Sequence, residues 1–65
     1  MKNKEHYYKA LLKNNGQLNE IDLGEKIYLK ENETREIISQ LLSEHKIEYI
    51  ENRSCSYRIA KNNNR

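Results

Sequence analysis

The stretch "IDLGEKIYLKENETREIISQLLSEHKIEYI", Ile21 to Ile50, decides how this chain folds, because its apolar residues change period partway along. Thr34, Ile37, Ile38, Leu41 and His45 recur at the ~100° per residue of a helix, with Leu42 at the edge of the stripe. Asn32, Arg35, Glu36, Ser39 and Ser43 fall on the opposite side. This pattern predicts a helix over about Glu33 to His45. After Lys46 the spacing drops to two, so "IEYI" reads as a strand. Upstream, Leu23 and Ile27 stand one turn apart in "EIDLGEKIY", which reads as a shorter helix opened by the capping-box pattern "NEID", with Asn19 capping and Asp22 reaching back. Gly24 inside that helix costs ~1 kcal/mol relative to alanine. The compensation it predicts is close approach to another helix.

Outward from this centre, "KEHYYKALLKN" reads as a helix over about Lys4 to Asn14 with Tyr8, Leu11 and Leu12 as its buried stripe. Asn3 is placed to cap it, Glu5 suits its positive end, and Gly16 stands where a left-handed terminal turn is cheapest. "GQL" reads as a short extended link with Leu18 inward. Beyond "IEYI", the polar "ENRSCS" reads as a hairpin loop and "SYRIA" as the returning strand, with Ile47, Tyr49, Tyr57 and Ile59 on one face. Tyr7 and Tyr28 are left as exposed anchors. The domain so defined covers residues 1–61, and residues 62–65 read as a disordered polar tail.

Sixty-five residues with 35% hydrophobic and 34% charged content allow one small core. A chain of this size buries only ~60% of the surface that its unfolded form exposes. No run approaches the ~18 apolar residues of a membrane span, and the basic N-terminus lacks the apolar segment of a signal peptide. The lone Cys55 excludes an internal disulfide and suits a reducing cytoplasm. Net charge is +2, unevenly spread: residues 1–13 and 51–65 each carry +3, whereas residues 14–44 carry −4.

The order helix, link, helix, turn, helix, hairpin predicts an α+β domain in which three helices share a core closed by the hairpin. Over about residues 4–61 the chain resembles the winged helix-turn-helix family of bacterial type. "YYKALLKNNGQL" is similar to the family's first helix and its glycine-led first strand, and "IDLGEKIYLKENETREIISQLLSEHKIEYI" to its helix, turn, third helix and second strand. "ENRSCS" would be the wing. Tyr28 departs from the glycine common before the turn, and Lys30 from the usual serine or threonine cap, leaving Asn32 as a substitute cap.

The resemblance implies duplex DNA binding and transcriptional regulation, with the third helix in the major groove and the wing on the backbone. Carried over by position, the base-contact candidates are Asn32, Arg35, Glu36, Ser39 and Ser43, all of types that can hydrogen-bond base edges. Phosphate-contact candidates are Lys2, Lys4, Lys30, Arg53 and Arg58. A homodimer would supply further contacts. The alternative is a protein-interaction module whose acidic helix-turn-helix surface docks a basic partner.

The first turn of the third helix sharpens that choice. Glu31 and Glu33 suit a helix N-terminus, and Glu31 precedes Arg35 by the spacing of a helical ion pair. Glu36 points where phosphates or bases would lie. Catalysis is not expected: His6 and His45 lie on different helices and Cys55 stands alone, with no third group to orient a nucleophile. Nor do these scattered positions suit a metal, and with Gly16 and Gly24 far apart no phosphate loop is expected. No cofactor is anticipated.

Overall fold

The computed structural model describes residues 2–60. Three helices, α1 (Lys2–Asn14), α2 (Glu20–Lys26) and α3 (Glu31–Ser43), precede two strands, β1 (Ile47–Tyr49) and β2 (Tyr57–Ile59), paired antiparallel. The chain is therefore α+β, three helices followed by a hairpin. The polar tail, 62–65, lies outside the described residues.

Helix α1 begins two residues earlier than its pattern predicts, so Asn3 lies inside it and does not cap it. Its buried face is Tyr7 and Leu11, whereas Tyr8 is half-buried and Leu12 is 61% exposed. The adjacent doublets Tyr7–Tyr8 and Leu11–Leu12 offer two stripes at the same i, i+4 spacing, about 100° apart. The rotation adopted lets the Tyr7 hydroxyl, buried and not an exposed anchor, donate to the Glu20 carbonyl at 2.9 Å. Asn15 (φ 52°) and Gly16 (φ 80°) then turn the chain through the left-handed region. No strand forms over "GQL". Instead the Asn14 amide donates to the Leu18 carbonyl and accepts from the Leu18 N–H, both at 2.9 Å. One side chain thus does the work of a strand partner, and Leu18 packs half-buried against the core.

Helix α2 opens on Asn19, whose side chain accepts from the Asp22 N–H at 2.8 Å, so only the forward half of the expected box forms. It stops at Lys26, short of Tyr28, in a Schellman motif. The Tyr28 N–H donates to the Glu25 carbonyl and the Leu29 N–H to the Gly24 carbonyl, both at 2.9 Å. Tyr28 takes the left-handed position (φ 70°) and is 94% exposed, while Leu29 is delivered into the core.

Helix α3 ends the same way, two residues earlier than expected. His45 (φ 62°) donates its N–H to Leu42 and Lys46 donates to Leu41, at 3.0 and 2.9 Å. His45 is therefore exposed beyond the helix and does not extend the buried stripe. Ile47 follows directly, buried. The helix also starts two residues early. Lys30 holds the N-cap position, and the cap bond comes from Glu33, whose carboxylate accepts the Lys30 N–H at 2.8 Å. Asn32 consequently sits in the first turn and is not the cap.

Buried Thr34, Ile37, Ile38 and Leu41 face Tyr7, Leu11, Leu23, Leu29 and Ile47. The hairpin closes this core with the register Ile47↔Ile59, Glu48↔Arg58, Tyr49↔Tyr57. The ladder continues past both strand ends, Ile50 N–H to Ser56 at 2.8 Å and Ala60 N–H to Lys46 at 3.0 Å. Of the four residues expected inward, Ile47 is buried, Tyr57 and Ile59 are half-buried, and Tyr49 is 61% exposed. Tyr49 instead packs edge-to-face on Tyr57, ring centroids 5.9 Å apart.

Cys55 is a larger departure. It is fully buried in the core rather than displayed in a polar loop, its thiol donating to the Tyr57 carbonyl at 3.2 Å. The next N–H, from Ser56, donates to the Glu20 carboxylate at 3.0 Å. The returning arm of the hairpin is thereby pinned to the start of α2.

Candidate functional site

Helix propensity leaves the outer face of α3 free once the inner stripe is buried, and Asn32, Arg35, Glu36, Ser39 and Ser43 are all exposed there. Their hydrogen bonding differs. Arg35 grips Glu31 through Nη2 at 2.7 Å and Nε at 3.0 Å. The Ser43 hydroxyl turns back to the Gln40 carbonyl at 2.9 Å. Asn32, Glu36 and Ser39 make no side-chain hydrogen bond among the described residues. The acidic first turn is therefore divided: Glu33 caps, Glu31 holds Arg35, and Glu36 faces solvent.

The five phosphate-contact candidates do not form one cluster. Lys30 sits exposed at the start of α3, and Arg53 is exposed in the hairpin loop. Arg58 is held across the hairpin by Glu48, Nε to Oε2 at 2.6 Å. Lys4 pairs with Glu44, which Lys46 also approaches at 3.8 Å. The Lys4 hydrogen bond holds the Glu44 carboxyl below the usual carboxylate range. Lys2 begins α1, and its side chain lies outside the described residues.

Packing the hairpin against the helices leaves two grooves that share Tyr57 as a wall. One, of about 180 Å³, runs between α3 and the start of α2 and is lined by Arg35, Ser39, Leu42, Ile38, Ile21 and Glu20. The other, of about 280 Å³, lies between the end of α1 and the hairpin, with Leu12, Ile50 and Ile59 beside Arg53 and Arg58. Arg35 and Ser39 are thus brought to one side of Tyr57, and Arg53 and Arg58 to the other. Lys4 lines a separate hollow with Tyr8, Lys9 and Lys46. A further groove, of about 450 Å³ between α1 and α2, has Lys13 and Lys26 over Leu18, Leu23 and Ile27.

Tyr49 and Tyr57 were not among the residues that the sequence singles out for this face. The alternation of the strands assigns both to the core. The available signal was the hairpin's brevity: a strand of three residues beside a polar loop carries its outer pair past the edge of a small core.

The two histidines stand apart. His6 and His45 are exposed on separate segments. Burial pushes the Cys55 thiol up, and the raised thiol stays neutral and a poor nucleophile. Burial likewise raises the Tyr7 phenol well above its ordinary range, with the nearby Cys55 and Glu20 adding to the effect. Among the described residues, no three His, Cys, Asp or Glu side chains are grouped to hold a metal ion. Among the described residues, no helix is long and apolar enough to cross a membrane.

No protein-family model, curated protein or solved structure matches the chain.

Proposed function

We propose that this chain is a small winged helix-turn-helix protein that binds duplex DNA, with α3 in the major groove and the β1–β2 hairpin as its wing. The observation that carries the reading is the position of Arg35 and Ser39 on one side of Tyr57 with Arg53 and Arg58 on the other. A helix face of base-reading side chains then lies next to a hairpin that offers cations to the flanking backbone. Arg35 suits guanine, Asn32 suits adenine, Glu36 accepts from a cytosine amine, and Ser39 can pair with several edges. Lys30 and Arg53, in no ion pair among the described residues, supply phosphate attraction. The net charge of +2 is small for this task, so two copies on paired half-sites would serve better than one.

One observation favours a second reading. Glu31 and Glu48 hold Arg35 and Arg58, and Glu36 on the outer face of α3 is exposed. That arrangement suits a protein-interaction module that meets a basic partner through its acidic α2–α3 surface.

A salt titration against random-sequence duplex separates the two. DNA docking predicts affinity that falls steeply with salt, and Arg53→Ala should reduce the log–log slope by about one. No duplex binding even at low salt would remove the DNA reading and leave the interaction module.

A further inference from the structure

We infer that the same face also takes an unpaired base, stacked on Tyr49, so that the preferred target is nucleic acid with a single-stranded segment beside the duplex. This rests on the nucleic-acid reading above and narrows it. Tyr49 is 61% exposed on a three-residue strand, although a tyrosine of this small protein gains most by burial. Its ring is not loose. Tyr57 holds it edge-to-face at 5.9 Å and 72°, which leaves ring surface open to solvent in a fixed orientation.

Tyr57 is also the wall common to the two grooves, with Arg35 in one and Arg53 and Arg58 in the other. Tyr49 lines neither groove but packs on the Tyr57 wall between them, so arginines on the two sides of that wall can follow a strand's backbone while a base finds a π-face on Tyr49. A basic protein partner would meet Arg53 and no open carboxylate in either groove, since Arg35 and Arg58 are held by Glu31 and Glu48. An acidic one would gain nothing from a flat aromatic ring that an aliphatic residue would not supply. The one carboxylate lining either groove, Glu20, is already engaged by the Ser56 N–H. Inside a duplex each base pair is covered on both faces by its neighbours, so an unpaired base offers Tyr49 a face that an internal pair does not.

The test is a competition among three probes: a blunt duplex, the same duplex with a short thymidine overhang, and short oligo-dT, with an oligo-rU arm to separate DNA from RNA. The overhang duplex should bind more tightly than the blunt one. Tyr49→Ala should lower its affinity by about 5- to 100-fold, the range of one lost stacking contact. Tyr49→Phe should retain that affinity and Tyr49→Leu should not, which distinguishes stacking from apolar contact. Thermal melts of all three variants confirm that they fold. Equal affinity for blunt and overhang duplexes, unchanged by Tyr49→Ala, would overturn this inference and leave duplex binding standing. No binding to any probe would overturn both.

Discussion

Gly24 of α2 and Thr34 of α3 meet so closely that a Cβ built on the glycine would lie 3.0 Å from both Cβ and Cγ2 of the threonine, and closer still to its hydroxyl. Thr34 is fully buried, and its hydroxyl oxygen has no hydrogen-bond partner among the described residues. The two helices approach through the hydrogen atom of a glycine, and the tight turn between them depends on that distance.

Gly24→Ala should therefore destabilise the protein by about 1–3 kcal/mol, the usual range for overpacking, although alanine is the better helix former. Thr34→Val keeps the shape and removes the orphaned hydroxyl, so it should be neutral or stabilising by up to about 1 kcal/mol. Urea unfolding of both variants measures this. A Gly24→Ala protein as stable as the parent would mean that α2 and α3 are not in contact there.

Tyr28 and His45 occupy the left-handed positions of the two Schellman motifs, where an L side chain costs roughly 1–2 kcal/mol. Neither is buried, so glycine loses no packing. Tyr28→Gly and His45→Gly should each stabilise by about 1 kcal/mol, raising Tm by roughly 4–8 °C in a domain of this size. Thermal melts are sufficient, and a fall in Tm for both would contradict the turn geometry.

Alkaline pH probes the buried thiol and phenol. Burial raises both Cys55 and Tyr7, so the folded state holds these protons more tightly than the unfolded chain does. Their contribution is complete below the ordinary values of 9.0 and 10.0, and is lost as pH rises beyond them. Urea midpoints should stay level through neutral pH and decline above about pH 9. Cys55→Ala and Tyr7→Phe should each flatten that decline, even though both begin from a lower stability.

Glu48 holds Arg58 in an exposed pair, and such pairs contribute only about 0–1 kcal/mol to folding. Glu48→Gln should leave the Tm nearly unchanged while freeing the guanidinium for phosphate. On the proposed function, duplex affinity should rise and the salt slope should steepen by up to about one. Unchanged duplex binding would assign Arg58 to the hairpin alone.

The inner stripe of α3 was legible because Thr34 extends the pattern of Ile37, Ile38 and Leu41 back by a turn, whereas the competing phase through Leu42 would bring the charged Arg35 inward. In α1, the doublets of tyrosine and leucine satisfy the helical period twice, and only a tertiary bond, Tyr7 to the Glu20 carbonyl, separates the two rotations. The start of α3 was misplaced because the capping group is Glu33 and not the cap residue itself. Cys55 was hidden by its polar neighbours: one small side chain that plugs a core leaves no periodicity. The outer face of α3 followed from its inner one. The Tyr49–Tyr57 pair did not, since alternation gives a strand's faces and not the extent of the core beneath them.

Amide chemical-shift mapping on addition of a random-sequence duplex at low salt tests the proposed use of the fold. Shifts should concentrate at Asn32, Arg35, Glu36 and Ser39 and in the hairpin from Tyr49 to Arg58, and should fade as salt is raised. An unperturbed spectrum, or shifts confined to the Lys13–Lys26 groove between α1 and α2, would contradict it.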